Sequence, residues 1–308
     1  MYIATLAGGR RLAGCLSAID AQTVPVEVVV ADNGPGDGCA EMLESDFPSV
    51  KRVSFGGRNL GFGAALNRAV AAHGEGPVIF LNDDAIPEPE FVEELLRCQE
   101  TSGAAMVAGV LLRSDDPGRI DSAGIICDRG LTAWDYLTGE PVEVLATASD
   151  PFGPTGGGAL FARSAFEAAG GFDERIFLYY EDLDLALRMR LAGHRCRLAR
   201  RARALHEGSA TAGRRAPAKY FHTGYSRGYL LRKYGVMRNP ISALKTLASD
   251  GSAALGQLLL DHTLAGARGK LRGWREADGI TPLDAPTDQL EPASLRRHLR
   301  VRYRRRRP

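Results

Sequence analysis

At 308 residues, with 44% hydrophobic and 25% charged side chains, the chain has the composition of an ordinary globular protein with a substantial core, which excludes disorder along its whole length. The longest uninterrupted apolar run, residues 104–112, is too short to cross a bilayer, and the first residues lack the basic and apolar regions of a signal peptide. We therefore expect a cytoplasmic protein. Its five cysteines occur singly, without a CxxC pair, which favours reduced, buried thiols over a disulfide framework or a zinc site.

The formal net charge of +2 conceals a strongly basic C-terminal end. Eight arginines and no acidic residue follow Ser294, and subtracting these eight charges from +2 leaves −6 for the rest of the chain. Basic tails of this kind bind anionic lipid headgroups or nucleic acid, and they also occur as solvated, disordered ends. All three interpretations of the tail are open from composition alone.

Short apolar runs alternate with helical patterns over the first hundred residues. The alternation predicts a parallel sheet covered by helices on both faces, in which ligands bind beyond the carboxyl ends of the strands. Two polar groups, Asp32-Asn33 and Asn82-Asp83-Asp84, directly follow predicted strands, so they can face one crevice. The predicted strands cover residues 2–6, 24–31, 51–54 and 77–81, and the predicted helices cover 10–21, 64–72 and 88–101, with another from about 39.

The pattern is less regular in the second part of the chain. Residues 113–150 are typical either of the variable wall of a substrate pocket or of a plain surface insertion. From Lys219 onward long helical patterns dominate, at 220–234 and 241–271. Further strands are predicted over 104–112, 159–162 and 195–199, with helices over 164–169 and from the 181–184 cluster to a stop at Gly193.

These shifts in composition predict three parts. A sheet domain covers residues 1–215, with a division near residue 112. A helical extension follows over 216–280. The end, 281–308, is rich in proline, polar and basic residues, which is typical of a loosely ordered tail.

Three carboxylates lie within four residues at the start of a predicted helix: Glu181, Asp182 and Asp184. They repel one another at neutral pH, so the cluster needs a cation, a substrate hydroxyl or a helix dipole to offset that repulsion. The dipole alone stabilises each carboxylate by about 0.3–1 kcal/mol. It does not explain the aromatic residues in 177–180 (FLYY), directly before the cluster. A chemical site and a charged helix start are both open interpretations.

Other residues are compatible with ligand binding. Asn82-Asp83-Asp84 offers the carboxylate oxygens that Mg²⁺ or Mn²⁺ prefers, although the same residue types are common in turns. Asp32-Asn33 is either an Asx turn or a hydrogen-bond acceptor for a nucleotide. His206, beyond a predicted strand, is either a structural residue or a metal ligand. The glycine-rich loop 56–63 lacks the spacing of a phosphate-binding fingerprint.

The motifs occur in this order: 28–33 (VVVADN), 59–63 (NLGFG) with Asn67, 81–84 (LNDD), 170–174 (GGFDE), 181–184 (EDLD) with Arg188, and His206. This ordered set resembles the family 2 glycosyltransferases of GT-A fold, and among them the bacterial rhamnosyltransferases. The resemblance spans roughly residues 2–235 and is far more specific than any single motif. It implies an α/β protein of GT-A fold, with a mostly parallel central sheet flanked by helices and a helical C-terminal extension.

The resemblance also implies an inverting transfer of a sugar from a nucleotide-diphosphate donor, with Mg²⁺ or Mn²⁺ as cofactor. Residues 1–112 would then hold the nucleotide sugar and 113–215 the acceptor. Asp84 and His206 would bind the metal, while Asp83 would contact the ribose or the metal shell. The nucleotide-sugar site would comprise Thr5, Asp32, Asn33, Asn59, Asn67, Asp83 and Gly157, with Asp32 accepting a hydrogen bond from the nucleobase.

On the acceptor side, the resemblance implies that Asp182 is the catalytic base. Asp182 would take the proton of the acceptor hydroxyl while that oxygen attacks the anomeric carbon. Glu181 and Asp184 would position the acceptor or the helix, with Arg188 as a counter-charge. A single direct displacement of this kind inverts the anomeric centre.

The donor and acceptor are less closely defined. Rhamnose from a dTDP donor fits the resemblance, and a UDP-sugar would use the same residues. The acceptor would be a glycan, a lipid-linked saccharide or a small natural product, and a lipid-linked one would suit a tail resting on the anionic inner face of the plasma membrane. No nucleic-acid partner is expected.

Two other functions are compatible with the fold class. A non-catalytic carbohydrate- or nucleotide-binding module on a transferase fold predicts loss of the base or of the metal carboxylate, yet Asp182 and Asp84 are both present. A sugar nucleotidyltransferase leaves the acidic cluster and His206 unexplained. The chain also departs from the family at Thr5-Leu6-Ala7, where Thr-Tyr-Asn is frequent, at Pro35, where Ser is common, and at Asn82, which replaces the first acid of a DxD motif. These departures affect nucleobase contacts more than catalysis.

Overall fold

The computed structural model describes residues 1–35, 38–208, 217–286 and 288–290. Backbone contacts divide the chain into two compact units. The sheet unit comprises Met1–Ile125 and Asp135–Ala210, and the helical unit comprises Ile126–Trp134 and Thr211–Pro308. Every residue predicted for the catalytic and binding site belongs to the sheet unit. The basic tail after Ser294 lies outside the described residues.

The strands are β1 (Tyr2–Thr5), β2 (Val29–Asp32), β3 (Lys51–Ser54), β4 (Val78–Leu81), β5 (Ala85–Pro87), β6 (Met106–Arg113), β7 (Asp116–Ser122), β8 (Ile125–Cys127), β9 (Ala133–Asp135), β10 (Gly158–Phe161) and β11 (Cys196–His206). One sheet has the order β3-β2-β1-β4-β10-β6-β11-β5, with β7 on β6, while β8 and β9 pair separately. Strands β1 to β4 are parallel where they pair, and β11 is parallel to β6. Strand β10 runs antiparallel between β4 and β6. The central sheet is therefore mostly parallel, as predicted.

Helices cover this sheet and bury apolar residues on both of its faces. On one face, Ile3, Val30 and Leu160 belong to a common core with residues of α1, α2 and α4. On the other face, Phe80 lies among aromatic rings that include Phe172, at a centroid distance of 5.2 Å. Neighbouring strand residues point to opposite faces, so one short strand serves both layers. The helices of the sheet unit are α1 (Arg10–Asp20), α2 (Cys39–Asp46), α3 (Phe62–Ala72), α4 (Phe91–Ser102), α5 (Arg163–Ala168) and α6 (Glu181–Leu191), with a 3-10 helix at Val142–Thr147.

Three predicted elements differ from the structure. The strand predicted over 24–31 pairs only from Val29, and Pro25 has no N–H to donate to a neighbouring strand. The strand predicted over 195–199 continues to His206 in the structure. The prediction ends too early because the arginine-rich residues after Ala199 contain no apolar run that would indicate a strand. The single helical pattern of 241–271 is two helices, separated at His262, which adopts a left-handed φ of 49°.

The helical unit contains α7 (Pro217–Lys233), α8 (Pro240–Asp261) and α9 (Ala265–Glu276), with a 3-10 turn at Val236–Arg238. Helices α7 and α9 touch backbone to backbone: a Cβ atom added to Gly224 would lie 2.1 Å from the carbonyl oxygen of Gly266. Larger residues at these positions would force the two helices apart. Within the described residues, no helix combines the length and the apolar character needed to span a membrane.

Candidate active site

The carboxyl ends of β1, β2 and β4 place three predicted groups at one edge of the sheet. Thr5 and Asp32 are paired in the register of β1 and β2, and each is the last residue of its strand. The Thr5 hydroxyl donates a hydrogen bond of 2.6 Å to the Oδ2 atom of Asp83, just beyond β4. Burial raises the pKa of Asp83 above its ordinary value. A hydroxyl and two carboxylates therefore converge where a parallel sheet binds ligands.

One oxygen of Asp32 is held by an arginine, whereas the other has no partner. The side chain is 4% exposed, and Arg52 of β3 donates to its Oδ2 atom, with Nη2 at 2.7 Å. The buried Oδ1 atom accepts no hydrogen bond from the part of the chain that the structure describes. Leaving such an acceptor unsatisfied costs about 1–3 kcal/mol. A donor group on a bound ligand would remove that penalty.

Two asparagines predicted for the nucleotide-sugar site form hydrogen bonds within a loop. The Nδ2 group of Asn33 donates to the Oδ1 atom of Asn59 at 3.0 Å and to the carbonyl of Gly61 at 3.1 Å. Its Oδ1 atom accepts from the N–H of Leu60 at 2.7 Å. Gly61 has a φ of 88°, and a Cβ atom there would lie 2.5 Å from the carbonyl oxygen of Phe177. The two asparagines thus shape a loop that contacts the approach to α6.

A second set of polar residues fixes the turn that follows α5. The Asn67 amide brackets Phe172, donating to its carbonyl and accepting from its N–H, both at 2.9 Å. Arg188 donates to the Asp184 carboxylate at 2.8 Å and to the carbonyls of Ala169 and Gly171. Asp184 is completely buried. Asp184 and Arg188 therefore anchor α6 to the 170–174 turn, and Asn67 anchors the same turn to α3.

The last residue of β11 lies among carboxylates from two other segments. The Nε2 atom of His206 lies 3.2 Å from Oδ1 of Asp84 and 3.1 Å from Nδ2 of Asn82. Its Nδ1 atom lies 2.7 Å from Oδ2 of Asp121 on β7. Burial lowers the pKa of His206, but the hydrogen bonds to Asp121 and Asp84 outweigh burial and raise it to about 10. Burial raises the pKa of Asp84, yet the hydrogen bond and charge of His206 lower it below its ordinary value.

The donor atoms at this position fit a divalent cation that is shared with a substrate. A carboxylate and an imidazole nitrogen are ligands that Mn²⁺ accepts, and Mg²⁺ is commonly held by one or two protein ligands plus phosphate oxygens. Across the described ranges, no group of three or more His, Cys, Asp or Glu side chains is arranged to hold a metal alone. Asp121, on the far side of the ring, is placed to orient His206 as partners of metal-bound histidines do.

The loop before β10 connects this cluster to the start of α6. The N–H of Asn82 donates to the carbonyl of Gly157 at 3.2 Å. The N–H of Gly156 points to Oδ2 of Asp182 at 3.4 Å, and the N–H of Leu183 donates to its Oδ1 at 2.8 Å. Asn82 and Asp182, which are far apart in sequence, are thereby joined through two adjacent glycines.

The start of α6 is strained and acidic. Tyr179 and Tyr180 adopt left-handed φ angles of 67° and 71°, a conformation that costs an L-residue roughly 1–2 kcal/mol. Burial, and then the charge of Asp182, raise the pKa of Glu181 to about 8, and its buried Oε2 atom has no hydrogen-bond partner in the described residues. Burial raises the pKa of Asp182 to about 6, with a further contribution from the nearby charge of Asp135. Asp182 remains partly accessible, so it can meet a substrate.

Asp121 and Asp135 were not identified from the sequence. Both lie in the irregular region 113–150, on β7 and β9, where neither a motif nor a strong apolar pattern marks them. The only sequence indication is that this region is compatible with a pocket wall. Asp121 contacts His206, and the charge of Asp135 acts on Asp182, yet both pairs are far apart in sequence and come near each other only in the folded protein.

A mostly parallel sheet with carboxylates at its strand ends and an acidic helix start beside them is the arrangement of a GT-A glycosyltransferase. The chain belongs to the family described as Glycosyl transferase family 2, whose family model matches residues 3–170. It is 32% identical over 243 residues to the N-acetylglucosaminyl-diphospho-decaprenol L-rhamnosyltransferase of Mycobacterium tuberculosis, covering 70% of this chain and 78% of the relative. The protein is thus a glycosyltransferase that resembles rhamnosyltransferases, as its motifs predict.

Solved structures confirm the fold. A mannosyltransferase from Pyrobaculum calidifontis, PcManGT, in complex with GDP-Man and Mn²⁺, matches with a TM-score of 0.55 and 17% identity, over 90% of this chain and 79% of the other. GalNAc-T7 with UDP, GalNAc and Mn²⁺ matches with a TM-score of 0.59 and 12% identity, over 92% of this chain and 55% of the other. At such low identity these similarities show the GT-A fold alone.

Proposed function

We propose that the protein is an inverting, metal-dependent glycosyltransferase that moves L-rhamnose from a dTDP- or UDP-linked donor to a hydroxyl group of a lipid-linked saccharide. The observation that carries the proposal is the path of polar contacts from His206 to Asn82, and from Asn82 through the adjacent Gly157 and Gly156 to Asp182. These contacts connect Asp84 and His206, the cation ligands of this proposal, to a partly accessible carboxylate of raised pKa. The mycobacterial relative, an N-acetylglucosaminyl-diphospho-decaprenol L-rhamnosyltransferase, supports the choice of sugar and acceptor.

On the donor side, Asp32 would accept a hydrogen bond from the nucleobase through its unpartnered Oδ1 atom. Asp83, held by Thr5, would contact the ribose. Asp84 and His206 would hold Mg²⁺ or Mn²⁺, and Mn²⁺ is present in two of the structures that share the fold. When bound, the cation neutralises negative charge on the departing diphosphate.

On the acceptor side, Asp182 would accept the proton of the attacking hydroxyl group. The acceptor oxygen forms a bond to the anomeric carbon while the bond from that carbon to the diphosphate breaks, and its electron pair leaves with the diphosphate. Because a carboxylate of raised pKa is a stronger base than an ordinary one, burial of Asp182 assists this proton transfer. Attack opposite the leaving group inverts the anomeric centre without a covalent intermediate.

The remaining predicted residues would act by holding this arrangement in place. Asp184 and Arg188 would fix α6, Asn33 and Asn59 would shape the adjacent loop, and Asn67 would hold the 170–174 turn. We further propose that residues 1–215 form the catalytic domain, with 1–112 for the donor and 113–215 for the acceptor.

The test is a panel of nucleotide sugars, including dTDP-L-rhamnose and UDP-hexoses, with an N-acetylglucosaminyl-diphospho-lipid as acceptor. The full chain is assayed with Mn²⁺, with Mg²⁺ and with EDTA, and the product is analysed by mass spectrometry and by NMR of the new anomeric centre. We expect transfer from dTDP-L-rhamnose, inverted and abolished by EDTA. Transfer that resists EDTA would disprove the cation-binding role, and a retained anomeric configuration would disprove the direct displacement.

A further inference from the structure

Helix α8 turns polar side chains toward the rest of the helical unit. Asp250 lies between Arg227 of α7 and Lys270 of α9, at 2.8 and 2.7 Å. Asp261 accepts a hydrogen bond from the Tyr220 hydroxyl at 2.9 Å. In an ordinary amphipathic helix of a water-soluble protein, the side that packs inward is the apolar one. In α8 this distribution is reversed.

The outward side of α8 carries a row of large apolar side chains that are 43–70% exposed. At 100° per residue they fall within an arc of about 120°, which Ala248 and Gly251 complete and which contains no charged residue. Exposed apolar surface of this continuity marks a contact with another protein or with a membrane. We call these residues the leucine stripe: Ile241, Leu244, Leu247, Leu255, Leu258 and Leu259.

The charges around the stripe favour an anionic partner. Residues 217–276 contain ten Lys or Arg and three Asp or Glu. Each of the three acids contacts a partner within the helical unit: Asp250 and Asp261 as described, and Glu276 through Arg272 at 2.7 Å. Positive charge therefore remains in excess on this unit.

Part of this positive charge lies at one end of the stripe. A cavity of about 240 Å³ at the first turns of α8 is lined by Arg129 and Lys245, together with Ser242 and Ile241 of the helix. Arg129 and Lys245 are both exposed. Ile241 belongs to the cavity and to the stripe, so a group bound by these cations would lie beside the apolar row.

We propose that the leucine stripe lies in the surface of an anionic phospholipid membrane, with Arg129 and Lys245 against lipid phosphates at its end. An apolar arc bordered by basic residues is the composition of a helix that lies in the membrane interface. A second copy of this chain would bring the same excess of positive charge to the stripe and would be repelled. The proposal gives the lipid-linked acceptor of the proposed function a physical setting, but its observations are independent of that function.

The test measures co-sedimentation of the full chain with phosphatidylglycerol–phosphatidylcholine vesicles and with phosphatidylcholine vesicles, without sugar donor or acceptor. We expect binding to the anionic vesicles that weakens with added salt. The triple change Leu244→Gln, Leu255→Gln, Leu259→Gln should reduce the affinity by about 100-fold, because three apolar side chains no longer transfer from water into the membrane. Lys245→Gln should reduce it by about fivefold, as expected for one basic residue near an anionic surface.

A neighbouring leucine provides the matched control. Leu260 is on the same helix and 52% exposed, but it lies outside the arc, so Leu260→Gln should bind vesicles as the unchanged chain does while Leu259→Gln binds more weakly. Hydrogen exchange on the unchanged chain supplies a measurement that needs no variant: vesicles should slow exchange in 241–259.

Three results would overturn the proposal. They are absence of vesicle binding, equal binding by the triple variant, which would assign binding to another segment such as the basic tail, and a dimer in solution that the triple variant dissociates. None of these outcomes depends on transferase activity, so the stripe and the proposed reaction succeed or fail separately.

Discussion

Two carboxylate clusters of the site differ in how their charge is balanced. Around His206, Asp84 and Asp121 lie on either side of an imidazole ring whose proton offsets their charge. At the start of α6, Glu181 and Asp182 are closely spaced, neither forms an ion pair with any residue that the structure describes, and burial raises the pKa of both. The lowered pKa of Asp84 therefore keeps this carboxylate ionised, which suits cation binding, whereas the raised pKa of Asp182 makes it more basic, which suits proton transfer.

The largest expected effect comes from a substitution in the cluster at the start of α6, which contains Glu181 and Asp182. Asp182→Asn removes the proton acceptor while keeping the shape of the side chain, and we expect kcat to fall by about 10³-fold, within the range of general base catalysis. Donor affinity, measured by calorimetry, should change little because Asp182 acts on the acceptor. Glu27→Gln is the control, since Glu27 forms an exposed ion pair with Lys51. Full transfer by Asp182→Asn would reject the assignment of the base.

Substitutions in the cluster around His206 should change metal binding rather than proton transfer. Asp84→Asn removes the carboxylate charge, and we expect Mn²⁺ affinity in the presence of a nucleoside diphosphate to fall by roughly 100-fold or more. Titration with Mn²⁺, followed by electron paramagnetic resonance of the free ion, measures this without turnover. Unchanged Mn²⁺ binding would show that the cation lies elsewhere.

Asp121 should affect Mn²⁺ binding only through its hydrogen bond to His206. Asp121→Asn leaves both predicted metal ligands in place but weakens the hydrogen bond that orients the ring, so Mn²⁺ affinity should fall by about 10–100-fold. Asp116→Asn is the matched control, because Asp116 lies on the same strand β7 and is more than half exposed. Equal Mn²⁺ affinity in both variants would separate Asp121 from the metal site.

The raised pKa of Asp182 predicts how kcat/KM changes on the acidic side of the pH profile. A base with a pKa of about 6 is protonated below that pH, so kcat/KM should fall about tenfold for each pH unit below 6. An unshifted aspartate would keep the rate constant down to about pH 4. Measuring the pH profile with saturating Mn²⁺ distinguishes the two cases.

The smallest effect is on stability. The pKa of Glu181 is about 8 in the folded protein against an ordinary value of 4.5, so the folded state holds a proton that the unfolded state has lost between these pH values. The free energy of unfolding therefore decreases as pH rises from about 4.5 to 8, and above pH 8 the whole of this loss of stability remains. Glu181→Gln removes it, which should raise Tm by about 5 °C at pH 8.5 and little at pH 5. Glu44→Gln, on the exposed side of α2, is the control in both calorimetric scans.

Much of the sheet unit could be predicted from local patterns. The apolar runs at β1, β2 and β4 and the turn residues after them mark strands and their ends, because burial on both faces of a parallel sheet requires uniform apolarity. The carboxylates at those ends, Asp32 and Asp84, could be identified for the same reason. Strand β11 was predicted too short, since its arginine-rich half lacks such a run.

Local patterns do not show which side chains meet across the fold. Asp121 and His206 are 85 residues apart, and only the pairing of β7 and β11 with β6 brings them together. The hydrogen bonds of the Asn33 amide to Asn59 and Gly61 likewise join residues that are distant in sequence. These outcomes depend on long-range closure of the sheet.

The sequence by itself determined the alternation of strands and helices, the polar strand ends and the family. Each of these depends on patterns or motifs whose residues are close together along the chain. Tertiary structure alone decided that two glycines join Asp182 to Asn82 and that Asp121 supports His206. It also decided that α8 presents its leucines outward. Each of these depends on which surfaces face each other after folding, and periodicity is the same whichever side a helix turns toward the core.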